Sequence, residues 1–238
     1  MYFNLRAPHP PIWRIARAIG VVLLLTAVPA LTAVDHQSLR FRERTGDTVV
    51  YLTSDERVDQ NGYVLSSRSS LGEEHHVIVD DQLESVRWRH RFVADDTDYT
   101  AVRTGRRIEL TGTHRGTRIS RSYSLGDDAP WIQSIERSLQ AFVVSDSRRT
   151  EFYTVQPDDF QLRRLQAVRR GRTTVDVDGV ATDAWEIRVS VAGIASIFWS
   201  ATYWFRTSDG QFVRSEAVRG WPGTPVTVVE MVRTTPSP

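Results

Sequence analysis

The chain has 238 residues, with 30 basic and 29 acidic side chains and no cysteine. All of its basic residues are arginine, since lysine is absent from the sequence. These absences exclude disulfides, thiolate metal sites, thiol nucleophiles, lysine-based phosphate loops and Schiff-base enzymes. The near balance of charge argues against nucleic acid as a partner.

The N-terminal segment has the composition of an export signal. Three arginines lie within its first 17 residues, and an uncharged run follows from Ala18 to Val34. This run of about 17 residues is at the short limit for crossing a bilayer and is closer to a signal-peptide core. Ala30 and Ala33 offer small residues for cleavage. We therefore predict a signal peptide over residues 1–33 and a mature protein in a bacterial periplasm or envelope, with an uncleaved membrane anchor as the alternative.

Residues 38–123 predict a series of short β-strands joined by turns. The predicted strand segments are 49–53, 63–68, 75–79, 85–93, 99–103, 107–112 and 117–123. The alternation is clear where Trp88 and His90 share one face and Arg89 and Arg91 share the other. Asn61-Gly62 is a strong hairpin signal between the first two segments. Strands at this regular spacing favour a sandwich, a barrel or a large curved sheet.

One amphipathic helix interrupts the strands. The sequence Asp127-Asp128-Ala129-Pro130 has an acidic N-cap and a proline in the first turn, which are typical of a helix start. Apolar residues then recur at steps of three and four, which predicts a helix over residues 131–143 with one apolar stripe. The stripe consists of Trp131, Ile132, Ile135, Leu139, Phe142 and Val143.

Strands resume after the helix, in segments 151–155, 161–168 and 173–177. Five arginines, Arg163, Arg164, Arg169, Arg170 and Arg172, crowd one hairpin that we expect around Gly171. Charges at a hairpin tip favour solubility and protect a sheet edge. The alternative is that their guanidinium groups bind lipid headgroups or an acidic glycan.

The stretch 182–220 organises the predicted sheet. Trp185 and Ile187 alternate with charged residues and are expected on the buried face. A strand at 198–205 has the highest aromatic density of the chain, and Asp209-Gly210 predicts a hairpin after it. A last strand at 227–232 leads to a tail, residues 234–238, that we expect to be disordered.

Candidate catalytic and metal-binding patterns are weak. His75 and His76 are neighbours on a strand and point to opposite faces, so they do not chelate one ion. Acidic pairs such as Asp80-Asp81 fall at turns, where aspartate makes local hydrogen bonds. Ser196 lacks the glycine-framed elbow of a serine nucleophile. We therefore expect a non-enzymatic protein without a metal or cofactor, with a hydrolase built on turn carboxylates as one alternative.

Three C-terminal stretches, 152–165, 177–189 and 203–220, resemble a bacterial family of exported proteins of unknown function. The shared features are an aromatic strand at Tyr203 to Phe205, the turn Asp209-Gly210, and a strand carrying Arg214 and Glu216. That family is similar in turn to the half-barrel of the outer-membrane lipoprotein carriers, a curved antiparallel sheet with helix across its concave face. The resemblance implies an envelope location and an apolar ligand, and it implies no catalytic residue.

We expect residues 34–238 to form a single β-rich domain. Its fold class is mostly β, a curved antiparallel sheet (a half-barrel or flattened barrel) with the one amphipathic helix on the concave face. The function that we expect is binding of a lipid, a lipoprotein or another apolar partner close to the envelope membrane. A structural or protein-interaction module that docks through its sheet edges is the other alternative.

The predicted ligand site lies between the helix and the aromatic strand. A helix across a curved sheet rarely fills the space beneath it, so we expect an apolar cavity there. Without lysine, contacts to a polar headgroup at its rim would come from arginine. The predicted ligand-binding residues are Trp131, Ile135, Leu139, Phe142, Trp185, Phe198, Trp204, Arg188 and Arg214.

Overall fold

Fourteen strands and one α-helix form the part of the protein that the computed structural model describes, residues 36–60, 62–192, 199–218 and 224–232. The helix is α1 (Ile135–Val144). The strands are β1 (His36–Thr45), β2 (Thr48–Asp59), β3 (Gly62–Ser69), β4 (Glu73–Val79), β5 (Ser85–Phe92), β6 (Thr97–Thr104), β7 (Arg107–His114), β8 (Thr117–Ser124), β9 (Arg149–Val155), β10 (Leu162–Val177), β11 (Val180–Val191), β12 (Ser200–Arg206), β13 (Phe212–Val218) and β14 (Val226–Val232).

All fourteen strands belong to one antiparallel sheet that does not close into a barrel. Its order is β8-β7-β6-β5-β4-β3-β2-β1-β14-β13-β12-β11-β10-β9, so two meanders meet where β1 pairs with β14. That pairing joins the two ends of the sheet-forming chain and places Arg42 opposite Glu230. The chain crosses from one outer strand, β8, to the other, β9, by way of α1. The predicted curved antiparallel sheet with a helix on its concave face is confirmed.

The first meander carries a core of its own on the helix-bearing face. Trp88, Tyr99, Ile108 and Leu110 are almost fully buried and contact one another through alternate positions of β5, β6 and β7. The tyrosine ring meets the Trp88 ring edge-on, with centroids 5.2 Å apart. Aromatic pairs favour this geometry because the positive ring edge meets the negative face.

The second meander packs directly against the helix. Ile187, Phe205 and Phe212 are buried on this face of the sheet, together with Phe152 of β9. Leu139, Phe142 and Val143 of α1 complete the same cluster, which explains their spacing along the helix. The helix is therefore held by large side chains that fill the space between it and strands β9–β13.

The helix begins four residues later than the sequence predicts. Residues 130–132 are extended, because the Tyr153 N–H donates to the Pro130 carbonyl at 2.7 Å and the Ile132 N–H donates to the Tyr153 carbonyl at 2.8 Å. Trp131 is fully buried in the core of the first meander. The prediction that Trp131 starts the helix is therefore wrong, because pairing with β9 outweighs the local helix-start signal.

The expected hairpin at Gly171 is also wrong. β10 is one continuous strand of 16 residues, with a bulge against β11 between Arg169 and Gly171. The Arg169 guanidinium turns towards the end of α1 and donates to the carbonyls of Val143 at 2.9 Å and Ser145 at 2.7 Å. One arginine of the run therefore caps the helix C-terminus, where carbonyl groups lack helical partners.

Several predicted segments lie outside the described residues. They are the signal peptide 1–33, Asn61 of the first hairpin, Phe198 and the tail 234–238. In the described ranges, no helix combines the length and the apolar composition that a bilayer crossing requires.

Candidate functional site

The helix residues that were predicted to bind a ligand lie in closed packing. Leu139 is 1 % exposed and Phe142 is 9 % exposed, and both contact the core of the second meander. Ile135 is half-buried against the same cluster. Trp131 is not on the helix at all. The space between α1 and the aromatic strand is therefore occupied by side chains of the protein itself.

Three other predicted residues lie on the opposite face of the sheet. Trp204 is next to the buried Phe205 and therefore points away from it, since neighbours on a strand alternate between faces. Arg214 pairs with Trp204 across β12 and β13, and its guanidinium carbon lies 6.0 Å from the indole centroid. Arg188 is exposed beside the buried Ile187. These side chains do not reach the face that α1 covers.

Trp185 lies on the helix-bearing face but has a different role from the predicted one. It is half-buried at the edge of the second core, and two guanidinium groups stack on its ring. The guanidinium carbons of Arg169 and Arg172 lie 4.8 Å and 4.6 Å, respectively, from the centroid of the Trp185 ring. The indole is thus held by cation–π contacts with two members of the arginine run.

A cavity of about 390 Å³ lies beside this closed region, between the first half of α1 and strands β1–β5. None of the nine predicted ligand-binding residues is among the described residues that line it. Its apolar lining includes side chains of β1–β5, β13 and β14, namely Leu39, Phe41, Leu52, Leu65, Val77, Trp88, Phe212 and Val229. The space exists because small side chains, such as Ser54 and Ser67, face α1 from the first meander. Phenylalanine side chains of the second meander fill the corresponding space on the other side of the helix.

Strand register arranges the floor of the cavity in rows. Ser54 lies opposite Ser67, and Ser67 lies opposite His75, so one polar row crosses β2, β3 and β4. The next row contains Glu56 opposite Leu65. Alternation in β2 thus places Ser54 and Glu56 in the cavity lining beside Leu52, so the cavity offers both apolar walls and polar contacts.

A paired guanidinium lies where α1 covers the cavity. The Arg137 Nε donates to Glu56 Oε2 at 2.7 Å, and Arg137 Nη1 donates to Gln140 Oε1 at 2.9 Å. Its guanidinium carbon lies 4.6 Å from the centroid of the Tyr63 ring. The contact with Glu56 links α1 to β2, and these partners hold the guanidinium in one orientation.

A polar network continues from the partly exposed Glu73 and His75 into the core of the first meander. Trp88 Nε1 donates to His75 Nδ1 at 3.2 Å, and His75 Nε2 lies 3.2 Å from Glu73 Oε1. His90 Nε2 lies 2.9 Å from the same oxygen, although it is poorly aligned for a hydrogen bond. The Tyr99 hydroxyl lies 2.8 Å from His90 Nδ1. Two imidazoles therefore share one carboxylate.

The electrostatics of this network favour a charged carboxylate and a neutral phenol. The hydrogen bond from His75 and then the close approach of His90 Nε2 hold the pKa of the Glu73 carboxyl well below its ordinary value. Burial raises the pKa of the Tyr99 phenol well above its ordinary range. Tyr99 therefore stays protonated, and its hydroxyl can donate a hydrogen bond to His90 Nδ1.

Glu73, His75 and His90 are also close enough together to hold a metal ion, but their geometry opposes it. The two imidazole rings are stacked, with centroids 4.3 Å apart and planes only 6° from parallel. An ion bound by an imidazole nitrogen lies near the ring plane, and two stacked planes do not share such a point. A metal-bound imidazole also donates its other N–H. His75 instead accepts there, from Trp88. The cluster fits a hydrogen-bond network better than a metal site.

The turn carboxylates have local partners. One oxygen of each accepts a backbone N–H two to four residues further along the chain, in the turns that begin at Asp80, Asp127, Asp159, Asp176 and Asp209. This is the bonding for which turns favour aspartate. These aspartates therefore have a structural role in the turns where the sequence places them.

Sequence reasoning missed the cavity and the imidazole pair. It compared His75 with its chain neighbour His76, whereas the structure pairs His75 with His90 across β4 and β5. A signal was present, because both histidines occupy the same alternate positions as the core residues Val77 and Trp88. The cavity had no comparable signal, because it depends on which strands lie beneath the first half of α1.

No family model matches the chain, and no curated protein matches it. Among solved structures, a β-barrel-like protein of a domain of unknown function, DUF1849, from Brucella abortus is similar with a TM-score of 0.52 at 7% sequence identity, over 83% of this chain and 95% of that chain. The hypothetical lipoprotein YmcC from Escherichia coli gives 0.41 at 14% identity, over 84% and 85%. A LolA superfamily protein from Nitrosomonas europaea gives 0.26 at 9% identity, over 84% and 86%.

The likeness to the Brucella abortus protein, which is described as β-barrel-like and of unknown function, confirms the sequence resemblance at the level of fold. At 7% identity, the likeness to the Brucella abortus protein is a likeness of fold. The chain is thus similar in fold to a β-barrel-like protein of the DUF1849 type.

Proposed function

We propose that the protein is a non-enzymatic, exported envelope protein that binds an apolar ligand, and that an acyl chain occupies the cavity beneath the first half of α1. The observation that carries this proposal is the cavity itself, about 390 Å³ between a helix and the concave face of a sheet. Its volume is within the range of about 300–1,000 Å³ that is typical of small-molecule sites.

The composition of the walls supports an acyl chain. Leu39, Leu52 and Leu65 lie on three adjacent strands and present their side chains to the same space. Burying an apolar chain against them releases water from both surfaces, which is favourable by about 25 cal/mol for each Å² of apolar area. Polar side chains along the rows of β2 and β3 would contact the polar end of such a ligand.

Binding can be tested by blocking the cavity. A fluorescent acyl probe should bind the purified protein saturably, and Leu52→Trp should abolish or strongly weaken that binding because the indole fills the space. Leu71→Trp is the matched control, since Leu71 is 64 % exposed and is absent from the described cavity lining. Native mass spectrometry of protein purified from its own envelope should show a retained lipid-sized ligand. Equal binding by both tryptophan variants would contradict the proposal.

Export is the second part of the proposal, and it is supported by the basic leader and its short uncharged run. The mature N-terminus should lie between Leu31 and Asp35. N-terminal sequencing of the protein from its native host checks this directly. Recovery of intact Met1 on membrane-bound protein would contradict cleavage and favour the anchor.

A further inference from the structure

We infer that the cavity selects a ligand whose polar end is uncharged and bears hydroxyl or ester groups, with a monoacylglycerol as the representative, and that it discriminates against fatty acids and other anionic lipids. This inference rests on the proposed function and adds the chemical class of the ligand. It depends on three features of the cavity lining: a neutralised guanidinium, an uncharged imidazole and a pair of unpartnered hydroxyls.

The first feature is the state of the positive charge. Arg137 is the only arginine among the described residues that line the cavity. Its charge is matched by the Glu56 carboxylate at 2.7 Å, and Gln140 and the Tyr63 ring occupy two further sides of the guanidinium. A second carboxylate, that of Glu136, also belongs to the lining. An incoming carboxylate or phosphate would therefore meet acidic side chains and a cation that already has its counter-charge.

The second feature is the imidazole on the cavity floor. His75 Nδ1 accepts the indole N–H of Trp88, whose side chain is almost fully buried. A nitrogen that accepts a hydrogen bond carries no proton, so the imidazole is neutral in this arrangement. If Nδ1 were protonated, two N–H donors, those of His75 and Trp88, would face each other 3.2 Å apart without an acceptor between them. His75 therefore does not supply the positive charge that an anionic headgroup would need.

The third feature is a pair of hydroxyl groups. Ser54 and Ser67 lie directly opposite each other on β2 and β3 and both line the cavity. Among the residues that the structure describes, neither side-chain oxygen has a hydrogen-bond partner. A hydroxyl both donates and accepts, so this pair can contact the ester carbonyl and the free hydroxyls of an acylglycerol. Uncharged donors of this kind do not offset the desolvation of a full negative charge.

The test compares two ligands with the same chain and different heads, monolaurin and laurate, as competitors of a neutral fluorescent acyl probe at a pH where laurate is ionised. Monolaurin should compete at least about tenfold more strongly with the wild-type protein, because laurate brings an unpaired charge to the cavity. Equal competition, or stronger competition by laurate, would overturn the inference while leaving acyl binding in place. Absence of saturable binding by any acyl ligand to the folded protein would overturn both.

A gain-of-function variant makes the test independent of folding defects. Glu56→Gln keeps the shape of the side chain and removes the charge that balances Arg137. Laurate affinity relative to monolaurin affinity should rise about fivefold or more, because the Arg137 charge becomes available to the carboxylate. Glu109→Gln is the matched control, because Glu109 pairs with Arg107 on the exposed surface of β7. An unchanged laurate affinity in Glu56→Gln would contradict the role assigned to the ion pair.

The hydroxyls are tested separately. Replacing both Ser54 and Ser67 by alanine should lower monolaurin affinity about fivefold, since two hydrogen bonds to the ligand are lost. Ser122→Ala, on the exposed side of the outer strand β8, should leave the affinity unchanged. Unaltered monolaurin binding by the double variant would show that the hydroxyls do not contact the ligand, and would overturn this part of the inference.

Discussion

His75 connects the two polar features of the first meander. Its side chain lines the cavity, and its two ring nitrogens contact Trp88 and Glu73. The Trp88 indole forms part of the same cavity wall. The position of the cavity floor is therefore tied to a hydrogen-bond network that needs the Glu73 carboxylate in its charged form.

The charged state of Glu73 should contribute to stability, with a defined pH dependence. Its pKa is lowered in the folded protein by the hydrogen bond from His75 and by the nearby His90 imidazole, so its contribution is present above the unfolded value of 4.5 and is progressively lost as the pH falls below it. Glu73→Gln should therefore be less stable than the wild type at about pH 5, and the difference should shrink towards about pH 3. Urea unfolding at both pH values measures this.

Glu109→Gln serves as the control for Glu73→Gln, because the Glu109 side chain is 63% exposed and lies in a surface ion pair. Surface pairs of this kind contribute little to stability, so this variant should follow the wild type at both pH values. A Glu73→Gln variant whose deficit grows on acidification would show that the carboxylate does not carry the network.

Strand alternation alone is enough to assign several of the predicted site residues to one face of the sheet. Alternation puts Ile187 and Val189 inside, and by the same rule it puts Arg188 outside, where the structure has it. Trp204 next to Phe205 follows the same logic. An aromatic or basic residue near a predicted site therefore needs its face assigned first, because proximity along a strand does not imply a shared surface.

At the scale of elements, α1 is positioned by both of its ends. The extended segment before it pairs with β9, and the Arg169 guanidinium binds the carbonyls after its last turn. The sequence predicts the apolar face of the helix correctly from its spacing. It does not predict where the helix starts. The residues that would form the first helical turn instead pair with the backbone of Tyr153, which lies more than 20 residues further along the chain.

Arg169→Ala should destabilise the protein by about 1–2 kcal/mol, because the last carbonyls of α1 lose charged donors at the partly exposed helix end. The neighbouring Arg170→Ala is the control, since Arg170 is exposed. Chemical denaturation of the two variants measures the difference. Equal stabilities would mean that water replaces the guanidinium at the helix end without cost.

Gly112 occupies a position in β7 that tolerates no side chain. Its φ of +147° is rarely adopted by other residues, and a Cβ there would lie 2.4 Å from the Asp98 carbonyl oxygen. Gly112→Ala should therefore destabilise the protein by about 3 kcal/mol. Gly171→Ala is the control, because a Cβ at Gly171 meets no atom within 4 Å, and its stability should stay within about 1 kcal/mol of the wild type. Thermal or urea unfolding compares them. Similar losses would contradict the steric argument.

At the scale of the whole molecule, local patterns predict the strands, the helix and the curved sheet, because each depends on residues close together in the chain. The site depends on long-range pairing. β1 and β14 meet across almost the full length of the described chain, and this meeting brings Phe41 and Val229 to the same cavity. No periodicity in the sequence indicates which strands lie beneath which half of a helix. The cavity was therefore expected between α1 and the aromatic strand, whereas it lies between α1 and strands β1–β5.

The outer strands bear on the alternative of an interaction module. β8 is mostly exposed and carries Arg118 and Arg121. Charged side chains on an edge strand oppose pairing with another chain. The cavity is therefore the feature of the described structure that favours a specific function most strongly.

The central claim is that an acyl chain lies between the first half of α1 and strands β1–β5, and photoaffinity mapping tests it most directly. A diazirine-bearing monoacylglycerol should label peptides that contain Leu39, Leu52 or Leu65, and excess unlabelled ligand should suppress the labelling. Labelling concentrated on peptides that contain Trp185 or Trp204, or labelling that excess ligand does not suppress, would contradict the account.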